Sequence, residues 1–288
     1  MKNSFIYAGI LFAALWASAS AAAKFGLRSV EPMVLFDIRF IGAGLLLLGY
    51  AFLIEKQPLP KGREWLQLFI FGLLNTAIYL TLFVFAMKEV AAGIGSMLTA
   101  TNPLLISIML ALWTRKRIQV TAWVAIALGM TGIAIATYPL LLDSYATPRG
   151  LLYLGLSMVA YSAGTIYFSE VKWNLSRTSI NGWQTLIAGI VCIPLAYGFH
   201  KEINVFDTRF WAAEAWLMIP VSVIAVQLWL WLLKTNAVKA SLFLFLCPPF
   251  GFLYATFLLG ESFTLYTLAG TILVLIGLWI GQKIPKAA

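Results

Sequence analysis

Runs of about 20 predominantly apolar residues, the length that crosses a hydrocarbon core of about 30 Å at about 1.5 Å rise per residue, fill almost the whole of this chain. Ten can be drawn, at 4–23, 34–54, 66–86, 91–113, 119–138, 150–169, 178–198, 212–233, 238–259 and 263–282. Their apolarity is continuous and does not alternate, so each predicts a helix and none a barrel strand. Most connectors are short, which makes sequential helices antiparallel neighbours. The charged fraction is 11% against about a quarter in soluble domains, and the hydrophobic fraction is 61%. With a polar interval of only about a dozen residues around His200 to Arg209, no separate soluble domain is expected. The fold class is all-α integral membrane.

Within that frame the chain repeats itself. Ala91 to Pro103 (AAGIGSMLTATNP) returns in degraded form at Ala237 to Pro249 (AVKASLFLFLCPP), each preceded by a lysine (Lys88, Lys234) and each ending in a mid-span proline. The same offset of 146 pairs Tyr7 with Tyr153, Gly9 with Gly155, Ala14 with Ala160 and Ala17 with Ala163. Two related halves follow, at 1–140 and 147–284, each with five spans. Five is odd, so the second half enters the membrane upside down, and charge agrees: Arg115 corresponds to Glu261, and Lys24 to Glu170. Inverted repeats put a pseudo-two-fold axis in the membrane plane, the geometry of alternating access. The first 26 residues have the look of a signal peptide, but their counterpart from Tyr153 is internal, so the segment is expected to be retained.

A net charge of +9 would suggest nucleic acid in a soluble protein. Here the basic residues sit in short loops and set orientation. Counting alternate loops with the N-terminus inside gives thirteen basic residues inside and six outside, which places both termini in the cytoplasm. Cys192 and Cys247 fall inside apolar runs and read as small packed hydrophobes, with neither a disulfide nor a metal site.

Polar groups at mid-span must face other helices or a wet cavity. At i, i+4 spacing, Trp16 and Ser20 share a face of the first span, Asn75 and Tyr79 of the third, Met97 and Thr101 of the fourth, and Tyr161 and Thr165 of the sixth. Ser222 adds a polar group in the eighth and Phe245 a bulky wall in the ninth. The plain alternative is that Ser and Thr bond a backbone carbonyl one turn back while Trp and Tyr pack. Convergence of both halves at one depth favours a cavity formed by Trp16, Asn75, Tyr79, Met97, Thr101, Tyr161, Ser222 and Phe245, which accepts an apolar side chain while Asn75, Thr101 and Ser222 orient amine or carboxylate groups. Because the first copy of the repeated stretch is small and polar and the second, with Phe243 and Phe245, is bulky, the polar end of a substrate should lean toward the first half.

Pro103 and Pro249 each delete a backbone donor and read as hinges on crossing helices, with simple packing kinks as the alternative. Gly42, Gly44, Gly93, Gly95, Gly129, Gly132, Gly270 and Gly277 read as close helix contacts. Arg39 is expected to snorkel outward or to pair with Asp37 or Glu31. Glu31, Asp37, Glu89, Glu170 and Glu261 fall near span ends, so no acidic residue is expected at depth, and the simplest mechanism is movement down the solute gradient.

An enzyme fits poorly, because the only histidine, His200, lies in a loop and no HExxH, aspartate pair or phosphate-cradling loop occurs. A channel, a membrane-embedded scaffold or a drug-efflux protein remains as an alternative. Phosphate-ester cargo would want basic residues deep in the cavity.

Several of these features together resemble the drug/metabolite transporters of the EamA type, over essentially the whole chain. They are ten spans in two halves, Arg39 in FDIRFIGAG matched by Gln184 in WQTLIAG, the stretches ending at Pro103 and Pro249, and Gly260-Glu261 before a last span bearing Gly270 and Gly277. The first half has Thr114-Arg115-Lys116-Arg117 where the second has its Gly-Glu pair, so the end caps differ. The resemblance implies ten transmembrane helices as two inverted five-helix repeats around a central cavity, no cofactor, and export of small metabolites. The aromatic content looks most like the aromatic amino acid exporter (YddG-like) branch, which implies amino acids as cargo, a multi-pass protein of the bacterial inner membrane and a monomer in the lipid bilayer.

Overall fold

Among the described residues the apolar runs become helices, and the residues that begin several of them can be named. A computed structural model describes residues 2–87, 89–90, 98, 101–115, 118–141, 146–198, 203–259 and 264–283. Its helices are α1 (Lys2–Gly26), α2 (Pro32–Leu53), α3 (Arg63–Gly72), α4 (Tyr79–Met87), α5 (Asn102–Thr114), α6 (Val120–Leu141), α7 (Pro148–Glu170), α8 (Arg177–Gly198), α9 (Thr208–Trp216), α10 (Val226–Ser241), α11 (Cys247–Leu259) and α12 (Leu265–Gln282). Between α3 and α4 the chain widens into a π-helical segment, π1 (Leu73–Ile78), and between α9 and α10 into a second, π2 (Leu217–Ala225). Leu242–Leu246 tightens to 3-10 before α11.

Oxygen-bearing side chains cap four of these starts, each accepting one of the backbone donors a helix N-terminus leaves free. Thr147 accepts from Gly150 at 3.0 Å, Ser176 from Ser179 at 3.1 Å, Asp207 from Phe210 at 2.9 Å and Thr264 from Thr267 at 3.2 Å. Pro32 and Pro148 occupy the first turn of α2 and α7, where their missing N–H costs nothing.

Seven helical runs among the described residues are long and apolar enough to cross a membrane, and two shorter apolar helices, Asn102–Thr114 and Val120–Ala136, join them. One run, Thr208–Tyr254, has 47 residues. At about 1.5 Å per residue it would reach about 70 Å, more than twice a hydrocarbon core. Asn236 divides it: its φ of -168° and ψ of 106° leave the helix, and its Oδ1 accepts from the Lys239 amide at 2.9 Å and so restarts it. The break falls between the expected eighth and ninth spans.

The outer surface is apolar, with Leu53, Leu112, Tyr197 and Phe257 each more than 70% exposed. So large an apolar surface on a soluble protein would be an aggregation site, whereas a bilayer solvates it. Helices then meet through small residues. A Cβ on Gly132 of α6 would lie 2.6 Å from the Gly270 carbonyl of α12, and one on Gly44 of α2 would lie 2.9 Å from the Leu186 amide of α8. Accordingly α6 packs along α12 and α2 along α8, while α4 and π1 lie on α7, and α9, π2 and α11 lie on α1. Glu89, after α4, receives the Thr147 hydroxyl and the Arg149 guanidinium and so clips the segment following α4 to the start of α7.

Candidate functional site

A row of aromatic rings drawn from four helices runs through the centre. Trp16 and Phe12 of α1 lie 5.9 Å apart, Phe12 stacks on Trp229 of α10 at 4.8 Å, Trp229 stacks on Tyr161 of α7 at 6.3 Å, and Tyr161 meets Tyr79 of α4 at 4.8 Å. Phe83 continues it, 6.0 Å from Tyr79. Tyr79, Tyr161 and Trp229 are buried and Trp16 is partly buried. Offset and tilted rings at these distances give a rigid apolar surface, because an aromatic side chain has few torsions to order.

Beside this row sit polar atoms with unused hydrogen-bonding capacity. The Tyr161 hydroxyl, the Trp229 indole N–H, the Asn75 Oδ1 and the Thr165 Oγ1 are buried and have no partner. Such groups are rare in native interiors and cost about 1–3 kcal/mol each, so their grouping at one place points to a site where something polar is received. Asn75 lies in π1, and Gly164 of α7 lets the two backbones touch: a Cβ there would be 2.9 Å from the Asn75 amide.

A second buried network joins the two π segments through α8. Thr76 of π1 donates to Gln184 Oε1 at 2.7 Å, and Gln184 Nε2 donates to Thr185 Oγ1 at 2.7 Å and to Asn181 Oδ1 at 3.1 Å. Asn181 Nδ2 then donates to the Ser222 carbonyl in π2 at 3.0 Å, and Arg39 Nε of α2 donates to Ser222 Oγ at 2.8 Å. Widened π turns recur at functional sites because they displace backbone groups from the regular ladder. Here both are tied to one helix by side-chain amides.

The expected site residues are therefore only partly brought together. Trp16, Asn75, Tyr79 and Tyr161 converge on the aromatic row. Ser222 lies in the polar network, its hydroxyl occupied by Arg39. Thr101 donates to the Leu98 carbonyl at 2.6 Å, the plain backbone bond, whereas Thr165, for which that bond was the natural reading, lacks it. Phe245 is fully buried and its ring fills the notch at Gly129, and Phe243 does the same at Gly9, so both are packing contacts. Pro103 stands in the first turn of α5, and Pro249 in the first turn of α11, directly after the 3-10 turn Leu242–Leu246. Next to Pro103, Asn102 donates to Met158 Sδ at 3.3 Å and accepts from Ser162 at 3.2 Å, pinning α5 to α7. Met97, Gly93, Gly95, Lys88, His200 and the Gly260-Glu261 pair lie outside the described residues, as does the side chain of Ser20.

One residue departs from its expected role. Arg39 neither snorkels nor pairs with Asp37 or Glu31: it is 6% exposed and held by Ser222. Asp37 and Glu214, each within two turns of its helix start, are buried all the same, at 6% and 1% exposed. The signal for Glu214 was available: Asp207 with its N-capping pattern starts the helix earlier than hydropathy alone does, and that puts Glu214 about two turns inside it.

An apolar groove of about 640 Å³ lies apart from the aromatic row, between α1, α9 and α11, with Ser18, Ala22, Phe25, Arg209, Trp216 and Tyr254 among its walls.

Comparison with known proteins bears on the whole chain. The profile of the EamA-like transporter family matches residues 3–138 and again 148–280. An uncharacterised transporter of Archaeoglobus fulgidus is 24% identical over 266 residues, 92% of this chain and 94% of its own. The inner membrane transporter YedA of Escherichia coli K12 is 26% identical over 262 residues, 88% of this chain and 83% of its own. A solved crystal structure superposes with a TM-score of 0.81 over 98% of both chains at 16% identity, which is a likeness of fold.

Proposed function

The chain belongs to the EamA-like transporter family, and on that premise we propose that it exports amino acids, aromatic or other neutral ones, and related small metabolites by alternating access. The aromatic row carries this reading. Rings from α1, α4, α7 and α10 offer an apolar side chain a stacked surface, and unpartnered Asn75, Tyr161 and Trp229 beside them offer amine and carboxylate groups a donor or acceptor. No phosphate-sized cluster of basic side chains lines that row among the described residues, which favours a small amphiphile over a phosphate ester.

Ten transmembrane helices in two inverted repeats, 1–140 and 147–284, remain the architecture we infer. The family profile matches twice, and π1 shifted by 146 falls inside π2. The packing has the same symmetry: α2 meets its mate α8, α6 meets its mate α12, and π1 on α7 is mirrored by π2 on α1. In this reading Pro103 and Pro249 begin the moving halves of crossing helices. Both termini face the cytoplasm of a bacterial inner membrane, and the aromatic amino acid exporter branch is the nearest in character.

Uptake of a panel of labelled amino acids into protein-containing vesicles tests the proposal. Saturable counter-exchange of aromatic or neutral amino acids supports it. Exchange of cationic drugs alone would place the chain with efflux proteins, and ion conductance without saturation would make it a channel.

A further inference from the structure

We propose that the groove between α1, α9 and α11 is a binding site for one anionic phospholipid, with the acyl chains in the groove and the phosphate at Arg209 and Arg28. The groove is separate from the aromatic row. At about 100° per residue Ser18 lies about 200° around α1 from Trp16, so the groove and the row use opposite faces of that helix. Ser18, Ala22 and Phe25 form one stripe of α1, and Arg209, Ala212 and Trp216 form one stripe of α9. Phe25 is 39% exposed and Trp216 47%, so the groove opens sideways to the bilayer.

Its deep end offers a ligand only carbon. The Trp216 indole N–H donates to Ser18 Oγ at 2.9 Å, the Ser18 hydroxyl donates to the Leu15 carbonyl at 2.7 Å, and the Tyr254 hydroxyl donates to the Ala14 carbonyl at 3.0 Å. Left empty, such walls would forfeit their dispersion contacts, and lipid chains are the apolar matter at hand. The dimensions select the occupant. From Ser18 to Phe25 the wall rises about 10 Å, about two-thirds of one leaflet. Over that length the groove has a cross-section of about 60 Å², less than the about 80 Å² of a helix. Slender acyl chains fit it and a partner helix does not.

The other end is basic. Arg209 lies in the first turn of α9 on the groove wall, and the Arg28 guanidinium stands 5.5 Å from the centre of the Phe25 ring, itself a wall. Lys24, exposed in the last turn of α1, adds to the same field. Among the described residues neither arginine forms a salt bridge. The described carboxylates at this end face protein donors: Asp207 receives the Ser29 hydroxyl at 2.8 Å and the Phe210 amide at 2.9 Å, and Glu31 receives Asn204 Nδ2 at 3.5 Å. Two exposed guanidinium forks beside an apolar groove complement a phosphate joined to hydrocarbon. On the orientation inferred above, the lipid belongs to the outer leaflet.

The test titrates the whole purified chain in detergent with dioleoyl phosphatidylglycerol and with dioleoyl phosphatidylcholine, and counts bound lipid by native mass spectrometry. Wild type should retain one phosphatidylglycerol in preference to phosphatidylcholine. Arg28→Gln and Arg209→Gln, both at exposed positions, should each weaken phosphatidylglycerol binding about five-fold and leave phosphatidylcholine unchanged. Ala212→Phe, at an exposed position of the wall, should abolish retention, while Lys61→Gln, in the loop between α2 and α3, should bind as wild type does. Equal retention of the two lipids by wild type overturns the headgroup site, and undiminished retention by Ala212→Phe overturns the groove. If Ala212→Phe is not recovered folded, the arginine variants decide: unchanged binding by both overturns the proposal. Inorganic phosphate that raises the melting temperature as much as phosphatidylglycerol does would make this a site for free anions and overturn the lipid.

Discussion

Arg39 and Ser222, 183 residues apart in the chain, are joined in the interior by a hydrogen bond of 2.8 Å from Nε to Oγ. Hydrogen bonds to charged groups contribute about 1.5–3 kcal/mol, and removing one partner leaves the other unsatisfied. Ser222→Ala is therefore expected to lower the melting temperature of purified protein. The double variant Arg39→Met/Ser222→Ala should be less damaged than the sum of the two single changes, because the orphaned charge is gone. Additive losses in the melting curves would show that the two side chains are not coupled.

The Tyr161 hydroxyl is buried without a partner, so it destabilises the fold it sits in. Tyr161→Phe should hold or raise the melting temperature by the equivalent of about 1 kcal/mol and at the same time weaken transport. A stability loss with transport intact would identify a structural hydroxyl. The split between the two readouts separates a site residue from a core residue.

At the α6 to α12 contact, a side chain on Gly132 meets the Gly270 carbonyl at 2.6 Å and the Val274 amide at 2.9 Å, and backbone cannot yield as a flexible side chain can. Gly132→Leu is expected to abolish recovery of monodisperse protein from membranes. Gly155→Ala, where a Cβ meets nothing within 4 Å, should be recovered like wild type. Size-exclusion profiles compare the two directly.

Asp207 caps α9 outside the membrane-spanning run, and the Phe210 amide and the Ser29 hydroxyl hold its carboxyl below the usual range. A folded-state value below the unfolded one stabilises at neutral pH, and that stabilisation is lost as pH falls through the folded value. Asp207→Ala should thus melt lower than wild type near neutrality, and the two curves should converge in strong acid. A difference that persists unchanged in acid would assign the effect to something other than the charge.

The helices were legible because span length and continuous apolarity are local properties. The expected turn between 233 and 238 lies where Asn236 breaks the helix. The π segments were not legible, since a widened turn carries no compositional mark and Pro220 alone does not distinguish a kink from a bulge. Of the site, the residues with helical spacing on one face, Asn75 with Tyr79 and Trp16 on its own span, were found from periodicity. Trp229 was missed because nothing in its sequence neighbourhood separates a central tryptophan from a lipid-facing one. Arg39 was misread because its partner lies in the other half of the chain, and Glu214 was passed over because hydropathy starts its helix too late.

The account stands most directly on whether substrate meets the aromatic row beside Asn75. Counter-exchange of labelled phenylalanine should be measured in vesicles holding equal amounts of wild type and Asn75→Leu, with melting temperatures determined on the same preparations. The account predicts that Asn75→Leu melts like wild type or higher and exchanges at least ten-fold more slowly, about 1.4 kcal/mol of lost interaction. Equal exchange by the two proteins would contradict it.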